Sequence, residues 1–125
     1  MYDIYYAHHR WKYGTEIEKY ELKLIKRYFP NGRICNPSTD LNFDGLSEAE
    51  AMETCLNAVR NSDILVFSSV DGAIGIGVSK EIDTAEKCGK IVFYIDQDEI
   101  STIYSIYANE SERANDRVYA FVYRY

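Results

Sequence analysis

The chain has 125 residues and a formal net charge of −6, which suits one domain and is too short for two of ordinary size. With 46% hydrophobic and 27% charged residues, the composition excludes a disordered or fibrous chain. The acidic balance disfavours a broad nucleic-acid-binding surface, because neutralising phosphates requires a clustered basic face. We therefore expect one globular domain over residues 1–125 and no nucleic-acid partner.

Membrane and metal-binding signals are also missing from the sequence. No apolar stretch approaches the roughly 20 residues that span a bilayer, and the first residues lack the basic and apolar regions of a signal peptide. The sequence thus predicts a cytoplasmic protein with no membrane partner. The cysteines, Cys35, Cys55 and Cys88, lack the paired spacing of zinc or redox sites. We expect reduced thiols and no metal.

The first predicted element is a strand over residues 2–7, where β-favouring side chains run up to a polar loop. Thr15 and Glu18 then have capping-box spacing, and apolar residues recur at helical intervals until Pro30. This pattern predicts a first helix. A brief strand at 33–36 follows it.

A polar loop over residues 38–46 has no periodicity and could border a site. Ser47 and Glu50 have the spacing of a second capping box, which predicts a helix ending near Asn61. The apolar run at 63–68 is continuous rather than alternating. Such a run is typical of a central parallel strand covered on both faces.

The second half begins with a glycine-rich segment at 71–77 that leads into a helix closed by a C-terminal glycine. Residues 91–95 form another continuous apolar run, which predicts a second buried strand. We further expect a short helix within 99–108, a polar loop at 109–116 and a last strand at 117–123.

Strands that alternate with helices predict a parallel sheet with helices on both faces. The expected fold is α/β: a small Rossmann-like three-layer sandwich around a mainly parallel five-stranded sheet in flavodoxin-like order. In such sheets ligands bind beyond the carboxyl ends of the strands, near the switch point between the first and third strands. This rule nominates residues 8–12, 36–40 and 68–77.

Glycines dominate the most informative of these segments. Gly72, Gly75 and Gly77 would let backbone amides approach a ligand, and amides at a helix amino terminus favour anions. Their spacing matches neither the dinucleotide fingerprint nor the phosphate loop, so we expect no nucleotide cofactor. The alternative interpretation is a turn that needs glycine for positive φ angles.

Basic residues follow the first predicted strand. Arg10 could clamp a phosphate through its planar fork, and Lys12 adds charge nearby, which would suit a small anionic ligand. His8 is a further ligand-binding candidate, although His8 and His9 point to opposite faces and are not expected to share a metal. Ser68 offers a hydroxyl to phosphate or ribose. A solvated loop is the competing interpretation for the basic residues.

The sequence resembles a known family in several ordered segments. Residues 77–85, GVSKEIDTA, with the strand at 91–95, resemble the glutamate helix of the nucleoside 2-deoxyribosyltransferases and related nucleotide N-glycosidases. Residues 63–66 and 4–7 resemble the family's central and first strands. In all, the resemblance covers residues 2–95.

This resemblance implies that Glu81 attacks the anomeric carbon of a nucleoside or nucleotide and expels the base. It also implies that Tyr5 orients the nucleophile, that no cofactor is needed and that the protein is a homo-oligomer, a dimer or larger. The final residue, Tyr125, would reach the active site of its own or a neighbouring subunit. From the residues alone, Glu81 could equally complement a helix dipole, and Tyr5 could be a packed strand tyrosine.

Two positions depart from the family pattern. Cys55 stands where the family commonly has an aspartate that manages the proton of the departing base, and a thiol substitutes poorly at neutral pH. Asp71, Glu53 or a histidine could replace that aspartate, and Asp71 is included among the ligand-binding candidates. Lys80 precedes Glu81, where it could lower the pKa of the glutamate or simply face water. The alternative function is therefore a nucleotide-binding or nucleotide-sensing module without turnover.

Overall fold

Five strands form the main sheet, and two helical layers cover its faces. The computed structural model describes residues 1–114 and 117–123. Its helices and strands are, in chain order, β1 (Tyr2–Ala7), a 3-10 helix (Arg10–Lys12), α1 (Glu16–Tyr28), β2 (Gly32–Cys35), α2 (Pro37–Asp40), α3 (Glu48–Arg60), β3 (Ile64–Ser68), β4 (Ala73–Ile74), α4 (Ile76–Lys87), β5 (Ile91–Asp96), β6 (Glu99–Ser101), β7 (Ser105–Ala114) and β8 (Arg117–Tyr123).

The main sheet is mixed and mostly parallel. Its strand order is β2-β1-β3-β5-β6. Strand β1 runs parallel to β2 and β3, β3 runs parallel to β5, and β6 alone is antiparallel to its neighbour. The α/β class, the central position of β3 and the predominantly parallel sheet are therefore confirmed, and the order is consistent with a Rossmann-like sandwich. From β1 the chain continues to β2 at one edge of the sheet, whereas from β3 it continues towards β5 on the other side. This reversal of the strand order creates a switch point at the carboxyl ends of β1 and β3.

Side chains alternate along β1 between two cores, which explains why residues 4–7 of the strand are all buried. Ile4 and Tyr6 pack with Leu24 of α1 on one face of the sheet. Tyr5 and Ala7 pack on the other face with residues of α3, α4 and β8. Within the described residues, no helix is both long and apolar enough to traverse a bilayer.

Helix α1 begins as predicted but buries an unexpected face. The Thr15 hydroxyl accepts a hydrogen bond from the Glu18 amide at 3.3 Å. Glu18 and Glu21 are buried on this helix, whereas Ile17 is 57% exposed. The apolar residues at helical intervals therefore do not all face the core, because the inward face carries carboxylates that are satisfied by buried polar partners.

The chain beyond β5 differs most from the sequence prediction. The helix expected within 99–108 is wrong, because β6 folds back on β5 and β7 begins at Ser105. The loop expected at 109–116 is also wrong over 109–114, which belongs to β7. The strand at 117–123 is confirmed, but it lies in a separate antiparallel sheet of order β4-β8-β7. There β8 pairs with β4, a strand of two residues inside the glycine-rich segment.

Candidate functional site

A cleft of about 1110 Å³ opens beside the carboxyl end of β1. Three parts of the chain line it: the loop after β1, the segment that enters α3 with its first turns, and the start of α4. The lining includes His8, His9, Arg10, Tyr13, Phe43, Leu46, Glu48, Met52, Cys55, Gly75, Ile76, Gly77, Lys80 and Glu81. This is the location at which open α/β sheets bind ligands.

Glu81 and Tyr5 meet at the floor of the cleft. Glu81 lies in the second turn of α4 and is 5% exposed, whereas Tyr5 lies in β1 and is fully buried. The Tyr5 hydroxyl donates a hydrogen bond to Oε2 of Glu81. Among the described residues no fully buried side-chain N or O atom lacks a hydrogen-bond partner. The bond from Tyr5 engages only Oε2 of Glu81, so the other oxygen, Oε1, cannot be fully buried. Since Glu81 lines the cleft, Oε1 is open to the cleft.

The electrostatic environment of Glu81 favours its neutral form. Burial raises the pKa of Glu81 to about 8, and the hydrogen bond from Tyr5 opposes this only in part. Lys80 is not among the groups that shift this pKa, and its side chain is exposed, which fits the alternative that it faces water. At neutral pH Glu81 is therefore protonated in most of the protein molecules.

Two further neutral groups face Glu81. The Cys55 thiol contacts the Tyr5 hydroxyl, and burial raises its pKa above the ordinary value of 9.0. Burial also raises the pKa of Tyr13, with a further contribution from the negative charge of Glu81. The thiol and the phenol thus remain protonated at neutral pH. The sequence drew attention to Cys55 but gave no signal for Tyr13, which lies in an aperiodic loop.

The glycine-rich segment divides between two roles. Gly75 and Gly77 line the cleft at the start of α4. Asp71 and Gly72 instead form a turn, with φ angles of 51° and 81°, and lie outside the cleft lining. The Gly72 carbonyl accepts a hydrogen bond from Val122 of β8 at 2.7 Å. The first half of the segment therefore joins the second sheet, as the turn interpretation held, and only the second half reaches the cleft.

His8 and Ser68 are occupied by the protein itself. His8 Nδ1 is 3.1 Å from the Tyr6 carbonyl oxygen, and its Nε2 is 2.7 Å from a Glu18 carboxylate oxygen. The Ser68 hydroxyl is 2.8 Å from Lys12 Nζ and donates to Glu21 at 2.7 Å. His8 is one of the cleft-lining residues, but its side chain is fully buried. Ser68 is absent from the lining.

The basic residues also separate. Lys12 is buried and engaged by other side chains, so it adds no charge to the cleft. Arg10 and Lys80 are exposed, line the cleft and form no ion pair within the part of the chain that the structure describes. The cleft thus contains two cations on an otherwise acidic molecule. Tyr125 lies outside the described residues.

The mouth of the cleft is apolar. Phe43 and Leu46 come from the loop expected to border a site, and Met52 and Ile76 from the two helices. An apolar wall beside convergent polar groups is the usual composition of a small-molecule site. Among the described residues, no cluster of three His, Cys, Asp or Glu side chains could hold a metal ion.

The chain matches no protein-family model and no curated protein. The resemblance to the nucleoside 2-deoxyribosyltransferases therefore stays a prediction.

Proposed function

We propose that the chain is a nucleoside 2-deoxyribosyltransferase-like domain that binds a nucleoside or nucleotide in the cleft and cleaves its N-glycosidic bond through Glu81. The observation that carries the proposal is the Glu81 carboxyl group, held by Tyr5 at the floor of a cleft at the sheet's switch point. The strand order through β5, in the manner of flavodoxin, agrees with the fold of such enzymes.

In the proposed reaction, Oε1 of Glu81 attacks the anomeric carbon while the Tyr5 hydroxyl holds Oε2. A carbon–oxygen bond to Glu81 forms, the bond to the base nitrogen breaks, and the base leaves with the bonding electron pair and takes up a proton from water. Water or a second base then resolves the glycosyl ester. Because Glu81 is mostly protonated at neutral pH, it must lose that proton before it attacks.

Arg10 and Lys80 favour a ligand that carries a phosphate. Both line the cleft without an ion-pair partner in the described part of the chain, and arginine suits phosphate geometry. Glu48 also lines the cleft and partly offsets their charge. The apolar side chains at the mouth would cover the base.

The test is base release from a panel of 2′-deoxynucleosides and their 5′-monophosphates, followed by chromatography. We expect the wild type to release at least one base and Glu81→Gln to release none while it stays folded. Glu86→Gln, an exposed change on the same helix, is the matched control and should retain activity. A wild type that releases no base from any substrate overturns the enzymatic proposal.

A second candidate is a binding or sensing module of the same fold. It is favoured by Cys55, a neutral thiol at the position where the family commonly has an aspartate, and by the neutral state of Glu81. This candidate predicts a nucleotide-like ligand that raises the melting temperature and is recovered unchanged. No shift with nucleotides, ribose phosphates or cyclic nucleotides would exclude it.

We also propose that the protein forms homo-oligomers. The support is the tyrosine-rich last strand, in which Tyr123 is 54% exposed, since tyrosine is enriched at interfaces. Light scattering at micromolar concentration should give at least a dimer mass. A monomer mass would contradict this proposal and leave the proposed chemistry of Glu81 unaffected.

A further inference from the structure

The loop after β1 supplies much of the cleft wall yet has few backbone ties to the body of the protein. It carries the cleft-lining residues His8, His9, Arg10 and Tyr13. Among the described residues, its backbone-to-backbone hydrogen bonds over 9–14 all stay within the loop or at its junction with α1. Side chains must therefore hold it over the end of the sheet.

The side chain of Lys12 makes the main connection. Its ammonium group donates to Glu21 Oε2 on α1 at 2.9 Å, to the Ser68 hydroxyl at the end of β3 at 2.8 Å, and to the Ser69 carbonyl at 2.8 Å. A lysine has three N–H donors, so each one has an acceptor. The residue is 7% exposed, and the bonds join the loop to α1 and β3 at once.

The carboxylate of Glu21, which accepts a hydrogen bond from Lys12, also has hydrogen-bond donors at its other oxygen. Glu21 Oε1 accepts from the Tyr6 hydroxyl at 2.5 Å and from the Ser68 hydroxyl at 2.7 Å. A buried ion pair of this kind often contributes no more stability than apolar side chains of similar volume, because removing both charges from water is costly. The specific geometry of Lys12 thus points to position rather than stability as its main effect.

Arg10 and Tyr13, which flank Lys12, are the residues whose position this connection sets. Arg10 and Tyr13 line the same cleft as Cys55 and Glu81. A displacement of the loop would withdraw Arg10 and Tyr13 from Glu81 together.

We propose that Lys12 is a positioning residue that fixes the loop after β1 on the end of β3, so that Arg10 and Tyr13 face the cleft. Its importance for catalysis rests on the proposed function, whereas its effect on the loop does not. Trp11, the only tryptophan of the chain, lies in this loop, packs 4.4 Å from the His9 ring centre and is 61% exposed. It is a built-in reporter of loop position.

The test compares wild type with Lys12→Met/Glu21→Gln, a double variant that removes both buried charges and leaves no unpaired carboxylate. Lys19→Met, an exposed change on α1, is the control. In the double variant we expect amide exchange over residues 10–14 to accelerate about tenfold or more and Trp11 emission to change, with a melting temperature close to that of the wild type. Exchange and emission identical to wild type would overturn the proposal.

Activity gives a second readout, if base release is observed. The double variant should raise KM much more than it lowers kcat, because Tyr5 and Glu81 lie on β1 and α4 and keep their contact. A fall in kcat with unchanged KM would contradict a role through Arg10 and Tyr13. If no base is released by the wild type, the exchange and fluorescence results still decide whether Lys12 fixes the loop.

Discussion

The Tyr5 hydroxyl donates a hydrogen bond to Glu81 Oε2, and the two residues are 76 positions apart in the chain. The contact joins β1, an interior strand of the main sheet, to the second turn of α4. Because Tyr5 is fully buried in a strand, its hydroxyl is held rigidly, and it fixes which carboxyl oxygen of Glu81 faces the cleft. The proposed chemistry of the site therefore depends on this pair more than on either residue alone.

Tyr5→Phe should shift the pH dependence of activity to higher pH. The Tyr5 hydrogen bond lowers the pKa of Glu81 against the effect of burial, so its loss raises that pKa further and a larger fraction of Glu81 stays protonated. The alkaline displacement of the rising limb in a kcat/KM profile measures this effect. Tyr94→Phe, which removes a hydroxyl 3.1 Å from Ser69 Oγ instead, should leave the limb in place. Coincident limbs for wild type and Tyr5→Phe would contradict the prediction.

Glu81 should make the fold less stable as pH rises. Its pKa rises from 4.5 to about 8 on folding, so the native state binds this proton more tightly than the unfolded chain does. Its contribution is thus most favourable below pH 4.5 and is lost progressively up to about pH 8, at up to about 1.4 kcal/mol per pH unit. Glu81→Gln should remove this part of the decline.

Urea unfolding at about pH 5 and about pH 8.5 measures the difference. We expect Glu81→Gln to gain stability relative to wild type at the higher pH. Glu86→Gln, exposed on the same helix, controls for the loss of a negative charge. An equal difference between Glu81→Gln and wild type at both pH values would show that Glu81 is not held in its neutral form.

The parallel part of the fold could be predicted because each of its elements carries its own local signal. Continuous apolar runs indicated β3 and β5, and the capping box of Ser47 and Glu50 is present in the structure as expected. After β5 the sequence indicated only the strand at 117–123, and it did not indicate the sheet to which that strand belongs. There, β6 is fixed by pairing with β5, and β8 by pairing with β4 and β7. A strand of three residues such as β6 leaves no period in the sequence.

The candidate site was predicted in part for similar reasons. The switch-point rule indicated residues 8–12, 36–40 and 68–77. The loop after β1 and the start of α4 line the cleft, whereas residues 36–40 do not. The rule could not separate Arg10, which faces the cleft, from Lys12, which is buried against Glu21, because both have the same character in sequence. Tyr13 was missed, since a single tyrosine in an irregular loop is indistinguishable from any surface aromatic residue.

Arg10→Gln should reduce activity towards nucleoside monophosphates much more than towards nucleosides. Arg10 lines the cleft without an ion-pair partner among the described residues, and a hydrogen-bonded charge is worth about 1.5–3 kcal/mol. The ratio of kcat/KM for a monophosphate to that for its nucleoside should therefore fall about tenfold or more. Arg27→Gln, exposed on α1, should leave the ratio unchanged. An equal loss towards both substrate types would show that Arg10 does not bind the phosphate.

Gly72→Ala should lower stability and Gly77→Ala should weaken ligand binding, because Gly72 lies in the turn and Gly77 lines the cleft. Gly72 has a φ of +81°, so alanine there is strained by about 1–2 kcal/mol and should lower the melting temperature while ligand binding is retained. Gly77 is helical, and a methyl group there would meet only Met52 Sδ at 3.8 Å. Alanine should therefore be tolerated or raise stability by up to about 1 kcal/mol, yet weaken ligand binding by projecting into the cleft. Calorimetry and ligand titration of both variants decide the matter, and loss of binding in Gly72→Ala with intact binding in Gly77→Ala would reverse the two assignments.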